Sequence, residues 1–223
     1  SSSSSAAAAA ELEELGFGTL WIPDVGGRVL ERAEALLAAT SRVTLATGIL
    51  NVWMHEPAEV AASLDRIERR FPGRFLLGLG IGHKPIVDDG HPGRYTRPLS
   101  TMRAYLDALD SARAGARHPR VLAALAPKMI ALAAERADGA HPYLVPAAHT
   151  RLVRDALGAD AVIAQELTVV VGLDGEQARA RAREDIALYL GLSNYTRTWL
   201  RLGFAEDDLA GGGSDRLLEA LYA

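Results

Sequence analysis

The sequence predicts an α/β fold built on a parallel sheet, and three observations carry that reading. Short apolar, β-branched runs alternate with amphipathic helical segments along the chain. Glycine and proline cut the chain between them. The stretch 75–83, Phe-Leu-Leu-Gly-Leu-Gly-Ile-Gly-His, begins as an apolar run without polar alternation and ends in a glycine-punctuated turn. That is the form of a strand buried on both faces that opens into a loop. Six strands are visible, and parallel crossovers between them are right-handed. An open doubly wound sheet and most of a barrel both satisfy this pattern.

Each element has its own signal. Ala8, Leu12 and Leu15 share a face of a first helix, and Gly16 suits the position just past its end. Residues 19–22 have strand character and stop at Pro23 and Asp24. Gly26 and Gly27 open a second helix with Val29, Leu30, Ala33, Leu36 and Leu37 on its apolar side. Residues 43–50 form the next strand, interrupted by Gly48. Pro57 suits the first position of a third helix, whose stripe is Val60, Leu64, Ile67 and Phe71. Residues 83–97 are polar, rich in Gly and Pro and aperiodic, so a long loop is expected there. Leu99, Met102, Leu106 and Leu109 mark a helix, 120–125 a strand, and Pro127 the start of another helix. A strand over 140–145, a helix over 146–157, a strand over 161–171 and a helix over 176–192 follow. Ser214 caps a last helix after Gly211, Gly212 and Gly213.

The 223 residues, about half of them hydrophobic, suffice for one domain over 1–223. The net charge of −4 without a basic stripe argues against a nucleic-acid partner, and no apolar run reaches membrane-spanning length. The absence of cysteine excludes disulfides, thiolate metal sites and cysteine nucleophiles, and suits a cytoplasmic location. The serine and alanine runs of residues 1–10 lack the pattern of a secretory signal.

Several residues are candidates for chemistry. Gly78, Gly80 and Gly82 alternate, unlike the G-x-G-x-x-G dinucleotide fingerprint. They serve either tight packing or the close approach of a planar ring to bare main chain. Gly48 and Ile49 mark either a bulge or a cis peptide pressed against a ligand. Asp24 ends a strand, and His55 and His83 follow strands, where imidazole can move a proton near neutral pH. Ala126, Pro127 and Lys128 join a strand to a helix. There the amides of Lys128, Met129 and Ile130 and the lysine charge would make an anion site, unless the stretch is an ordinary turn. Trp53 is either core or the wall of a pocket.

Four stretches in register, 15–24, 43–50, 73–83 and 124–139, resemble the luciferase-like flavin and deazaflavin oxidoreductases, most of all their coenzyme F420-dependent branch. The resemblance implies a (β/α)8 TIM barrel whose first and last strands are missing from this chain. It also implies a cofactor at the carboxyl ends of the strands, a small-molecule substrate and a homodimer. Asp24 would lie near the ring's head group and Gly48 and Ile49 behind the ring. Gly80, Ile81, Gly82 and His83 would line it, and Ala126, Pro127 and Lys128 would hold the phosphate. The implied activity is hydride transfer between substrate and F420, with His55 and His83 as candidate proton carriers. The alternatives are an FMN-dependent monooxygenase and a non-catalytic barrel of the same family.

Overall fold

A computed structural model describes residues 2–89 and 91–223. Gly90, inside the loop expected over 83–97, and Ser1 of the serine run lie outside the described residues. The chain divides into two compact units, one ending at Leu122 and the other running from Ala123 to Ala223.

The first unit contains α1 (Ser2–Glu14), β1 (Thr19–Ile22), α2 (Val29–Ala38), β2 (Thr44–Thr47), β3 (Leu50–Asn51), α3 (Pro57–Arg70), β4 (Phe75–Gly80), α4 (Lys84–Asp88), α5 (Pro98–Ala112) and β5 (Arg120–Leu122). β1 pairs with β2, β2 and β3 with β4, and β4 with β5, every pair parallel, as the alternation predicts. Val60, Leu64 and Ile67 of α3 and Met102, Leu106 and Leu109 of α5 are buried, as their spacing requires. Each such side chain contributes about 1.5–3 kcal/mol on full burial. Phe71 falls just past α3, where the Arg70 guanidinium lies 4.9 Å above its ring.

The expected break at Gly48 is a β-bulge. Before it, Leu45 and Ala46 face Phe75 and Leu76; after it, Leu50 and Asn51 face Leu79 and Gly80. Three residues, 47–49, thus oppose two, 77–78. The peptide between Gly48 and Ile49 is cis. The alternating glycines meet this bulge residue for residue. A Cβ on Gly78 would lie 1.9 Å from the Thr47 carbonyl oxygen, and one on Gly80 would lie 2.3 Å from Ile49 Cδ1. One on Gly82, whose φ is +62°, would lie 2.9 Å from Asn51 Nδ2. At positions 78 and 80 the tight-packing alternative is therefore the one realised.

Part of the expected loop is helical. Lys84 and Asp88 form an i,i+4 ion pair within α4, and Asp88 Oδ1 accepts the Tyr95 amide at 2.7 Å. Five residues are too few for a periodic signal.

Glu13 of α1 anchors the start of β2. Its Oε1 accepts the amides of Arg42 at 2.6 Å, Val43 at 2.8 Å and Ser41 at 3.0 Å, and the Ser41 hydroxyl donates to Oε2. The Arg42 and Val43 amides foremost, against burial, pull the carboxyl from 4.5 to about 2.

The second unit contains α6 (Pro127–Arg136), β6 (Gly139–Ala140), α7 (Ala147–Leu157), β7 (Val162–Ile163), α8 (Gly175–Leu190), α9 (Ser193–Arg201), α10 (Glu206–Leu209) and α11 (Asp215–Leu221). The strands expected over 140–145 and 161–171 are laddered only at β6 and β7. Proline is the reason. Ala164 donates to the Ala140 carbonyl and Glu166 to that of Pro142, so the next parallel bond would run from residue 142 to the Ala164 carbonyl. Pro142 has no N–H. The ring of His141 supplies the donor instead, with Nδ1 2.6 Å from the Ala164 oxygen. Pairing resumes beyond, at Tyr143 with Glu166 and at Thr168 with Tyr222.

This unit's core gathers Ile186, Tyr195, Trp199, Leu217, Leu218 and Leu221, and the Trp199 indole donates to the Leu144 carbonyl at 2.9 Å. Asp174 caps α8 and Ser214 caps α11, the latter as expected. Among the described residues, no helix is long and apolar enough to cross a membrane.

Two outcomes follow. Gly78→Ala destabilises the protein by about 1–3 kcal/mol, because backbone rather than a flexible side chain fills the space. Gly18→Ala, with nothing within 4 Å of its Cβ, stays within about 0.5 kcal/mol; urea midpoints compare the two. Because the native Glu13 carboxyl is depressed from 4.5 to about 2, its stabilisation is complete above the unfolded value and lost as pH falls through that window. Acid unfolding of Glu13→Gln is correspondingly less steep there.

Candidate active site

The parallel strands of the first unit bring three loops to one end. Asp24 lies two residues past β1, His55 four past β3, and residues 81–83 directly past β4. The structure joins the first two, 31 residues apart, through a 2.8 Å hydrogen bond between His55 Nε2 and Asp24 Oδ2. Asp24 Oδ2 also accepts the Asn51 amide at 3.1 Å, and Oδ1 accepts that of Gly26 at 3.4 Å. Burial pushes the Asp24 carboxyl up. The His55 hydrogen bond, the Asn51 amide, the nearby imidazole charge and the Gly26 amide together outweigh it and hold the carboxyl below its ordinary range.

An ionised Asp24 only accepts, so the proton of a neutral His55 ring sits on Nε2 and the lone pair on Nδ1. The Asp24 side chain is 1% exposed and that of His55 18%. The imidazole is therefore the more accessible of the two, and the carboxylate, expected to sit near a ring's head group, is buried.

Asn51 organises the loop, which the residue pattern alone did not reveal. Its Oδ1 accepts the Trp53 amide at 3.1 Å, an Asx turn, and that turn chemistry at a strand's end was the available signal. The Trp53 indole then donates to the Ile81 carbonyl at 2.7 Å, and the Val52 amide to the Gly80 carbonyl at 3.1 Å. Tyr95 packs on Trp53 with ring centroids 5.7 Å apart. Trp53 is thus fixed as a wall between the loops after β3 and β4. Ile49, partly exposed, fills the space Gly80 leaves. Val25 and Met54 in the first two loops and Ile86 in α4, which follows the third, are 73%, 55% and 54% exposed. The segments that follow β1, β3 and β4 thus each present an apolar group to solvent. His83 takes the N-cap position of α4, where its carbonyl accepts the amides of Ile86 and Val87.

Ala126, Pro127 and Lys128 are in the second unit. Ala126 is the N-cap of α6, Pro127 is its first residue, and Pro127 and Lys128 are exposed. The amides of Met129 and Ile130, expected to face outward, both donate to the Ala126 carbonyl, at 2.9 and 3.0 Å. Of the three amides expected to form an anion site, two are engaged inside the helix.

Residues 3–220 match a family profile described as luciferase-like monooxygenase. A putative coenzyme F420-dependent oxidoreductase of Mycobacterium tuberculosis is 27% identical over 99 residues, which cover 44% of this chain and 28% of that protein. The matched stretch is thus less than a third of the relative's length. Two solved structures share the fold. The coenzyme F420-dependent tetrahydromethanopterin reductase from Methanopyrus kandleri superposes with a TM-score of 0.68 at 15% identity, over 100% of this chain and 82% of its own. The oxygenating constituent of 3,6-diketocamphane monooxygenase from the CAM plasmid of Pseudomonas putida, in complex with FMN, gives 0.68 at 14% identity, over 99% and 78%. The luciferase-like barrel class expected from the sequence is the fold that these proteins and this chain share.

The geometry around Asp24 makes its titration a direct test. By 13C NMR its carboxyl titrates below the ordinary 3.8. His55→Ala removes the main opposing hydrogen bond, leaves burial in place and moves the titration upward.

Proposed function

Because the chain belongs to the luciferase-like monooxygenase family, we propose that it is an oxidoreductase moving a hydride between a small organic substrate and coenzyme F420. The observation that carries this reading is the Asp24–His55 pair at the carboxyl ends of the strands, whose following segments expose Val25, Met54 and Ile86. A redox reaction between a carbon and a ring cofactor asks of the protein apolar walls, exclusion of water and one well-placed proton carrier. These residues fit such a group: Ile49 and Trp53 offer apolar faces, and the imidazole offers a single polar edge.

When bound, the deazaflavin supplies a two-electron hydride acceptor or donor. If the substrate is an alcohol, its carbon gives up a hydride and its hydroxyl proton passes to His55 Nδ1, leaving a carbonyl. In reverse, His55 returns the proton as the carbonyl carbon gains the hydride. Asp24 holds the ring in one tautomer and balances the imidazolium charge. Ile81, Gly82 and His83 are proposed to line the ring, with Gly48 and Ile49 behind it and Gly80 giving Ile49 its room. Lys128, with Ala126 and Pro127, is proposed to hold the phosphate through its side-chain charge. The relative named as F420-dependent supports the deazaflavin. The FMN-containing neighbour, with the same TM-score as the F420-dependent one, supports FMN as the second reading.

Fluorescence titration with each cofactor separates the readings. Tighter binding of F420 is expected; tighter FMN binding overturns it in favour of a monooxygenase, and binding of neither points to a non-catalytic barrel. With F420 and small alcohols, His55→Asn lowers turnover about 10²–10⁴-fold while leaving cofactor affinity unchanged. Lys128→Glu weakens cofactor binding.

A further inference from the structure

His149 lies in the first turn of α7 and is 2% exposed. Its Nε2 is 3.0 Å from the Leu125 carbonyl oxygen. A carbonyl only accepts, so Nε2 carries the proton and Nδ1 carries a lone pair. That Nδ1 is buried and has no hydrogen-bond partner among the described residues. Burial holds the ring below its ordinary value and the Arg201 charge adds to this, while the Leu125 bond opposes them. The ring is thus a neutral, single-tautomer donor aimed at one carbonyl.

The carbonyl it serves immediately precedes Ala126, Pro127 and Lys128. The Leu125 side chain packs against the core of this unit, and His149 supplies a side-chain donor to its carbonyl. Ala126 offers no side-chain cap and Pro127 no amide, while the Met129 and Ile130 amides close back on Ala126. An aliphatic side chain of similar volume would be buried at position 149 without an orphan nitrogen, but would take away this donor to Leu125. The ring's chemistry, beyond its bulk, is therefore what the site uses.

We infer that His149 is a positioning residue: its ring fixes the Leu125 carbonyl and so sets the turn from which Lys128 meets a phosphate-bearing cofactor. The inference rests on the reading of Lys128 as the phosphate partner.

Fluorescence titration of the intact protein with two ligand pairs tests it: coenzyme F420 against phosphate-free deazariboflavin, and FMN against riboflavin. His149→Leu is expected to weaken the phosphate-bearing ligand about tenfold, through lost preorganisation, and to leave its phosphate-free partner unchanged. His149→Gln, whose side-chain amide can donate to Leu125, restores binding. His149→Asn, too short to reach, behaves like the leucine variant and replaces it if that variant does not fold. Equal loss of both members of a pair, no loss from either disabling variant, or failure of glutamine to rescue overturns the inference. Lys128→Ala keeps the two levels apart. If it leaves phosphate-bearing ligands unaffected, the phosphate reading itself falls. If it weakens them selectively while the His149 variants are silent, only the positioning role falls.

Discussion

The fit of β4's main chain into the bulge between β2 and β3 is the constraint on which the candidate site depends. The buried Thr47 hydroxyl donates to the Gly78 carbonyl at 2.7 Å and accepts the Gly78 amide at 2.9 Å, locking the approach at its closest point. The extra residue then shifts the register of β3 by one. Because side chains alternate along a strand, that shift decides what each residue faces. It sends the Ile49 side chain over Gly80 and the Asn51 amide to Asp24. A strand without glycine at 78 would hold the two backbones apart, and the loop carrying Trp53 and His55 would start from a different place.

Two carboxylates in the first unit are held by the same device for different ends. Glu13 collects the amides of Ser41, Arg42 and Val43 and thereby joins a helix to a strand. Asp24 collects the amides of Gly26 and Asn51 but keeps one oxygen shared with a ring. The first arrangement satisfies its acceptors with main-chain amides and the Ser41 hydroxyl. The second holds an imidazole against the carboxylate and is the one of the two on which the proposed proton transfer rests.

Much of this was legible in the sequence. The parallel pairing, the stripes of α3 and α5, the interruption at Gly48 and the Ser214 cap follow from local patterns that the structure repeats. The Asp24–His55 pair was not legible, since residues 31 apart meet only through strand register. The role of Asn51, just past the strand expected over 43–50, was not legible, because an amide's role depends on which carboxylate its neighbour strand delivers. The single turn of α4 is shorter than any periodicity can show, and the strands around residues 140 and 163 were read too long. Their β-branched and apolar residues suit a strand, but hydropathy does not count donors.

That last point has a consequence for His141 and Pro142. One rung of the ladder here is completed by a side chain, so the two positions act as a unit in sequence space. A residue with an amide at 142 would contend with the imidazole for one acceptor and free the ring to turn toward Glu166, whose carboxylate is 3.6 Å away. A residue without a donor at 141 would leave the Ala164 carbonyl without its rung. Loss of the donor at 141 is thus offset only by an amide at 142, so the histidine is explained by the proline beside it.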